Sequence, residues 1–290
     1  MKYLLAFLFT ILTLQGYSQY TKHIEFFKDT EAYELAKAVS AQDIALIDTL
    51  VTQNPKAMEV ANPISGDNVL VLAIKLERYK AFSHLLDIGA DPNFINPKTQ
   101  YSVLIEAIRP FGEKGKERVQ NEYAKKLLLH GANTNYAVER DIELTGPKMW
   151  GWSYATTPLM RASRLDLDMV KTLIQFGADP YKKIEEDQST AFSVAVNHEQ
   201  YDIIYYFIDV LKVDVHQPMD IYTEEPSGKK ITYYIQDYLS NRYTRARISN
   251  NQKELNLLKL NNPNIEKENQ SRWELILKLE SMGVDFSDGK

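Results

Sequence analysis

The chain has 290 residues, of which 44% are hydrophobic and 25% are charged, proportions that exclude a disordered or collagen-like chain. Its 34 basic and 39 acidic residues give a net charge of −5, which argues against a general nucleic-acid-binding protein. The sequence contains no cysteine, so disulfides, iron–sulfur clusters, thiolate zinc sites and cysteine nucleophiles are excluded.

Residues 1–18 have the layout of a secretory signal peptide. Lys2 precedes an uncharged apolar run, and Gly16 and Ser18 place small residues at the −3 and −1 positions of a cleavage site. The run is shorter than the roughly 20 residues that a membrane-spanning helix needs, although an uncleaved anchor is the alternative. We therefore expect cleavage near Ser18 and Gln19, and a mature protein that is periplasmic or secreted and not inserted in a membrane.

Two sequence patterns recur in a fixed order along the rest of the chain. In the first, an apolar run ends in Gly-Ala and is followed by Asp-Pro or Asn-Thr; it lies at residues 85–93, 128–135 and 173–180. The second lies upstream and is clearest as Thr-Pro-Leu-Met-Arg-Ala at residues 157–162, with related versions at 68–73, 102–107 and 190–195. This recurrence predicts a repeat architecture.

Local chemistry predicts a helix–turn–helix in each repeat. Thr157 suits a helix N-cap, and Pro158 suits the first helical position, where a missing N–H costs nothing. Glycines suit the left-handed residue that follows a helix, and those closing the apolar runs are Gly89, Gly131, Gly177 and Gly283. Because no single repeat can bury its apolar faces alone, neighbouring repeats are expected to stack into an all-α solenoid.

The two patterns resemble the ankyrin repeat, whose signature T-P-L-H-x-A opens a unit of about 33 residues. The resemblance covers nearly all of residues 33–290 and implies protein–protein recognition as the default function. A leading segment, residues 19–32, is expected to precede this domain. We expect about six repeats, at residues 33–63, 64–97, 98–136, 156–184, 187–218 and 231–286. The fourth is one residue short between its two helices.

Four long insertions interrupt the expected repeats, and we expect them to form loops, where binding residues tend to gather. They are residues 111–121, 136–155, 218–230 and 245–271. The second contains Trp150, Trp152 and Tyr154, which either bind a partner peptide or sugar ring or fold back over the seam between repeats. Tyrosines of the last two repeats, among them Tyr205 and Tyr234, form either a recognition patch or inter-repeat packing.

The sequence contains no recognisable catalytic or cofactor-binding motif. It lacks the H-E-x-x-H pattern and the serine nucleophile elbow, and its carboxylates are interpreted as solvated charges. We expect structural roles for the five histidines, His23, His84, His130, His198 and His216. The expectation is therefore a protein that is not an enzyme and that uses no cofactor or metal.

These observations favour an extracytoplasmic module that binds an unidentified protein partner through its concave face and loop tips. An inhibitor or immunity-type protein that blocks an extracytoplasmic enzyme or toxin would have the same sequence features. A further alternative is carbohydrate binding or enzymatic activity that uses residues 150–154. Oligomeric state is left open by the sequence.

Overall fold

The computed structural model describes residues 22–108, 117–138, 156–185, 187–224 and 229–287. These residues are rich in helix, as the sequence predicts. The chain divides into two compact units, called here unit 1 and unit 2, with the boundary between Asn133 and Thr134. The expected signal peptide lies outside the described residues.

In its described part, unit 1 contains three successive helix pairs. They are pair 1 (Tyr33–Ala41 and Ile44–Gln53), pair 2 (Val69–Lys75 and Tyr79–Asp87) and pair 3 (Val103–Ala107 and Glu117–Leu129). The first helices of successive pairs contact each other, as do the second helices of pairs 2 and 3. Their shared core includes Leu70, Phe82, Leu104 and Leu127, all buried. Ahead of pair 1, Phe27 of the leading segment is also buried.

The described part of unit 2 contains three more pairs. They are pair 4 (Pro158–Ala162 and Leu167–Gln175), pair 5 (Ala191–Asn197 and Tyr201–Tyr205, which continues as a π-helix over Tyr206–Val210) and pair 6 (Ile235–Leu239 and Gln270–Ser281). First helices contact first helices and second helices contact second helices along this series. The buried apolar side chains of these helices include Leu159, Ala195, Phe207 and Ile276.

Two of the expected loops are regular structure. Residues 218–230, expected to be a loop, contain most of an antiparallel hairpin formed by strands β1 (Asp220–Glu224) and β2 (Lys229–Tyr233). Residues 245–271, also expected to be a loop, are helical at Arg242–Ile248, Gln252–Asn261 and Ile265–Glu268. Residues 139–155 of the second insertion and 109–116 around the first lie outside the described residues.

The helical insertion in pair 6 has a small core of its own. Tyr243, Ala246, Leu255 and Leu258 are buried together, and Ile265 packs against them. At the insertion's two ends, the Asn241 amide donates to the Asn269 side-chain oxygen at 2.8 Å. The insertion therefore starts and finishes at neighbouring points of the fold.

The links between helix pairs repeat one backbone turn. At residues 62–67, 96–101 and 184–189, the first N–H donates to the carbonyl five residues later, and the fifth N–H donates back to the first carbonyl. The fifth residue is left-handed each time, with φ of 77° at Gly66, 58° at Gln100 and 61° at Gln188. Equivalent positions thus share the same backbone geometry in both units.

Turns inside the helix pairs also recur. In pairs 1, 2 and 5 a left-handed residue joins the two helices, with φ of 56° at Gln42, 57° at Glu77 and 54° at Glu199. The turn of pair 4, residues 163–166, has no left-handed residue. The turn of the repeat expected to be one residue short thus differs from those of pairs 1, 2 and 5 in having no left-handed residue. Before that turn, the hydroxyl of Thr157 accepts the Met160 N–H at 3.1 Å, so Thr157 caps the helix as predicted.

The end of each second helix from pair 2 to pair 6 is marked by a left-handed residue. Four of these residues are the expected glycines, with φ of 101° at Gly89, 85° at Gly131, 87° at Gly177 and 88° at Gly283. In pair 5 the position is occupied by Lys212, with φ of 57°. A side chain with a Cβ is strained in this conformation, so pair 5 carries a local cost that the other pairs avoid.

Gly177→Ala is expected to lower the free energy of unfolding, and Lys212→Gly is expected to raise it, by about 0.5–1 kcal/mol each. A Cβ on Gly177 meets nothing within 4 Å, so the loss on adding it reports backbone strain alone. Replacing Lys212 by glycine relieves that strain, and this gain exceeds the entropy that glycine adds to the unfolded chain. Urea unfolding followed by circular dichroism measures both; equal signs for the two variants would contradict this account.

Candidate partner-binding site

The aromatic residues predicted to bind a partner fall in different places. Trp150, Trp152 and Tyr154 lie outside the described residues. Tyr205 lies on the second helix of pair 5, where the Lys278 ammonium stands 5.7 Å from its ring centroid. Burial raises the pKa of the Tyr205 hydroxyl above its ordinary value. This tyrosine is therefore part of the packing between the second helices of pairs 5 and 6.

Tyr234 lies immediately after strand β2 and immediately before the first helix of pair 6, at its N-cap position. Its N–H donates to the Asp237 carboxylate at 2.7 Å, while its side chain remains 37% exposed. Among the described residues, no ring contact or hydrogen bond joins Tyr234 to Tyr205. Tyr234 thus lies at the hairpin, and the tyrosine patch expected from the sequence stays a prediction.

The base of the hairpin is attached to its own unit through β1. The N–H of Ile221 donates to the Asp187 carbonyl at 2.7 Å, and the N–H of Met219 donates to the Tyr233 carbonyl at 2.8 Å. Across the hairpin, Ile221 lies opposite Thr232 and Asp220 lies opposite Tyr233. The Ile221–Asp187 bond fixes the hairpin to the link between pairs 4 and 5, and the Met219–Tyr233 bond closes the base of the hairpin.

Asp220 supplies the second attachment of the hairpin, and the sequence analysis did not identify it. Its carboxylate accepts a hydrogen bond from the Tyr238 hydroxyl on the first helix of pair 6. Burial raises the pKa of Asp220, and the nearby Asp187 carboxylate raises it further. Burial, together with the Asp220 carboxylate, also raises the pKa of Tyr238. One half-buried carboxylate therefore connects β1 to the first helix of pair 6.

Three of the histidines make contacts between helix pairs, in keeping with the structural roles expected for them. His84 Nε2 lies 2.6 Å from the Asp48 carboxylate. His130 Nε2 lies 3.2 Å from the Asp87 carboxylate, which also pairs with a lysine, and His216 Nε2 lies 3.2 Å from the Met282 carbonyl.

Within the described ranges, no group of three or more His, Asp or Glu side chains is placed to hold a metal ion. No helix in those ranges is long and apolar enough to cross a membrane. Comparison with protein-family models gives no match, and comparison with curated proteins gives none either.

Proposed function

We propose that the chain is an ankyrin-repeat protein that is exported from the cytoplasm and binds a protein partner without catalysing a reaction. The layout of residues 1–18 supports export. The Thr-Pro-Leu-Met-Arg-Ala pattern at residues 157–162 and the recurring helix pairs support the ankyrin assignment. An ankyrin array presents an extended, preorganised surface, which suits binding rather than chemistry.

Side-chain contacts between successive turns also support the repeat assignment. In unit 1 the Asn93 amide donates to the Gly131 carbonyl at 3.2 Å and its oxygen accepts the Asn133 N–H at 2.7 Å. In unit 2 Asn135 makes the same two bonds, to the Gly177 carbonyl at 2.9 Å and the Asp179 N–H at 2.7 Å. Equivalent residues thus make equivalent contacts, as the members of a repeat array should.

The single observation that best supports partner binding is the hairpin. The other links between helix pairs, where the structure describes them, form the tight turn seen at residues 62–67 or an isolated β-bridge. The link between pairs 5 and 6 instead extends into two paired strands. Because Asp220 and the Ile221 N–H fix its base, the hairpin loses little conformational freedom on binding. The exposed ring of Tyr234 beside it offers the kind of aromatic anchor that dominates interface energies.

Affinity capture from the host's extracytoplasmic fraction, with residues 19–290 as bait, tests the proposal. We expect a protein partner that is lost with Tyr234→Ala and retained with Phe176→Ala, a matched control because Phe176 is an exposed aromatic residue at the end of the second helix of pair 4. Loss in the Trp150→Ala/Trp152→Ala double variant would instead place binding on the second insertion. Capture of no protein, together with retention on a glycan array, would overturn the proposal in favour of carbohydrate binding.

A further inference from the structure

The backbone geometry of the hairpin leaves one of its edges open. In an antiparallel pair, opposed residues alternate between hydrogen-bonded and non-hydrogen-bonded pairs. The Ile221 N–H points away from β2, to Asp187, so Ile221 and its partner Thr232 form a non-hydrogen-bonded pair. Because the two kinds of pair alternate, Thr223 and Lys230 form the next non-hydrogen-bonded pair. The N–H and carbonyl groups of Lys230 and Thr232 therefore point away from β1.

The outer edge of β2 is accessible. Lys230 and Thr232 are both exposed, and within the described residues neither makes a backbone hydrogen bond outside the hairpin. The outer edge of β1, by contrast, is occupied at Ile221 by the Asp187 carbonyl. An open edge of this kind is a template for another extended strand.

Charge identifies the strand that this edge favours. Lys230 is exposed at this edge, opposite the uncharged Thr223, so it places a positive charge beside the outward backbone groups. Pairing of β2 with the β2 strand of a second copy would bring a Lys230 from each copy to one seam. An acidic strand would be attracted to the same edge instead.

We propose that the open edge of β2, at Lys230 and Thr232, binds an extended acidic segment of the partner protein by β-strand addition. The backbone groups of these two residues provide the hydrogen bonds, and the Lys230 ammonium selects acidic side chains. The exposed Tyr234 ring lies at the end of the same strand and covers the apolar side chains of the segment. This inference rests on the proposed function and adds to it the chemistry of the partner.

A direct test uses a fluorescent, acetylated peptide of alternating glutamate and valine, with the corresponding lysine–valine peptide as the charge control. Thr232→Pro removes an outward N–H and leaves the ladder to β1 intact, because proline is tolerated on edge strands. Thr232→Ala keeps the N–H and is the matched control. We expect the acidic peptide to bind the full mature chain and its affinity to fall about tenfold in Thr232→Pro, with no loss in Thr232→Ala.

A second variant tests the charge without altering the backbone. Lys230→Glu should weaken binding of the acidic peptide and create binding of the lysine peptide. In the unmodified chain, hydrogen exchange of the Thr232 amide should slow when the acidic peptide is bound and not in its absence. Equal binding by Thr232→Pro and the unmodified chain would overturn the inference. So would a chain that dimerises and becomes monomeric in Thr232→Pro, since the occupant is then a second copy.

Failure of this inference is distinguishable from failure of the proposed function. If the chain captures a natural partner and Thr232→Pro retains it, the strand-addition mode is overturned while partner binding stands. If the acidic peptide binds but no natural partner is captured, the edge chemistry stands and the proposed function fails.

Discussion

Replacing Asp67 by alanine is expected to lower the free energy of unfolding by about 3–5 kcal/mol, because it leaves the largely buried Lys75 ammonium without its carboxylate partner. The Asp67 side chain is only 2% exposed, and the Lys75 ammonium lies 2.7 Å from it. The carboxylate also accepts bonds from Ser65 at 2.6 Å and from the Asn96 amide at 3.0 Å. Its removal therefore disrupts both the ion pair and the contact between two successive turns.

Urea unfolding of the variants measures this effect, with Glu34→Ala as the matched control. Glu34 forms an ion pair with Lys37 at 3.0 Å in the same unit, but both side chains are solvent-exposed, so its loss should lower the free energy of unfolding far less than loss of Asp67 does. Asp67→Asn keeps the side-chain shape, so its loss in the free energy of unfolding should lie between those of Asp67→Ala and Glu34→Ala. An Asp67→Ala variant as stable as Glu34→Ala would show that the buried pair contributes little.

Deleting residues 273–290 is expected to make the protein aggregate. The deletion removes most of helix Gln270–Ser281, whose Leu275, Ile276 and Leu279 are fully buried. The helices Tyr201–Tyr205 and Ile235–Leu239, which contact it, would expose apolar side chains to water. Terminal repeats of stacked arrays must cover such a face to remain soluble.

Size-exclusion chromatography and the soluble yield measure the outcome of this deletion. A chain shortened only by residues 288–290 is the control and should remain soluble. A soluble, fully helical 273–290 deletion with an unchanged melting profile would contradict the expectation.

The parts of the fold that follow from local chemistry could be predicted from the sequence. The capping role of Thr157 and the left-handed glycines such as Gly177 depend on residues within one turn of the helix end. Lys212, Gln42 and Glu77 adopt the same left-handed region, yet their side chains carry no signal for it. Their conformation is imposed by the repeated turn and not by the residue type.

The prediction of loops at residues 218–230 and 245–271 was wrong, for a different reason in each insertion. β-branched residues such as Ile221 and Ile231 flank Pro-Ser-Gly in the hairpin, which is a readable hairpin signal, but the repeat pattern led us to expect a loop. In the helical insertion, the apolar pair Leu255 and Leu258 stands among many polar residues that dilute the periodicity. The Asp220–Tyr238 contact joins residues 18 apart on different elements, so spacing alone does not reveal it.

The contact between Asn241 and Asn269 gives the helical insertion the character of a removable cassette. Because its ends meet, a short linker could join helix Ile235–Leu239 directly to helix Gln270–Ser281 at a modest entropic cost of loop closure. Its buried side chains form a core of their own, so excision would remove that core as a unit, and the main uncovered contact would be that of Arg247 over the Trp273 ring. Evolution could therefore add, lengthen or exchange this element while the array around it stayed unchanged.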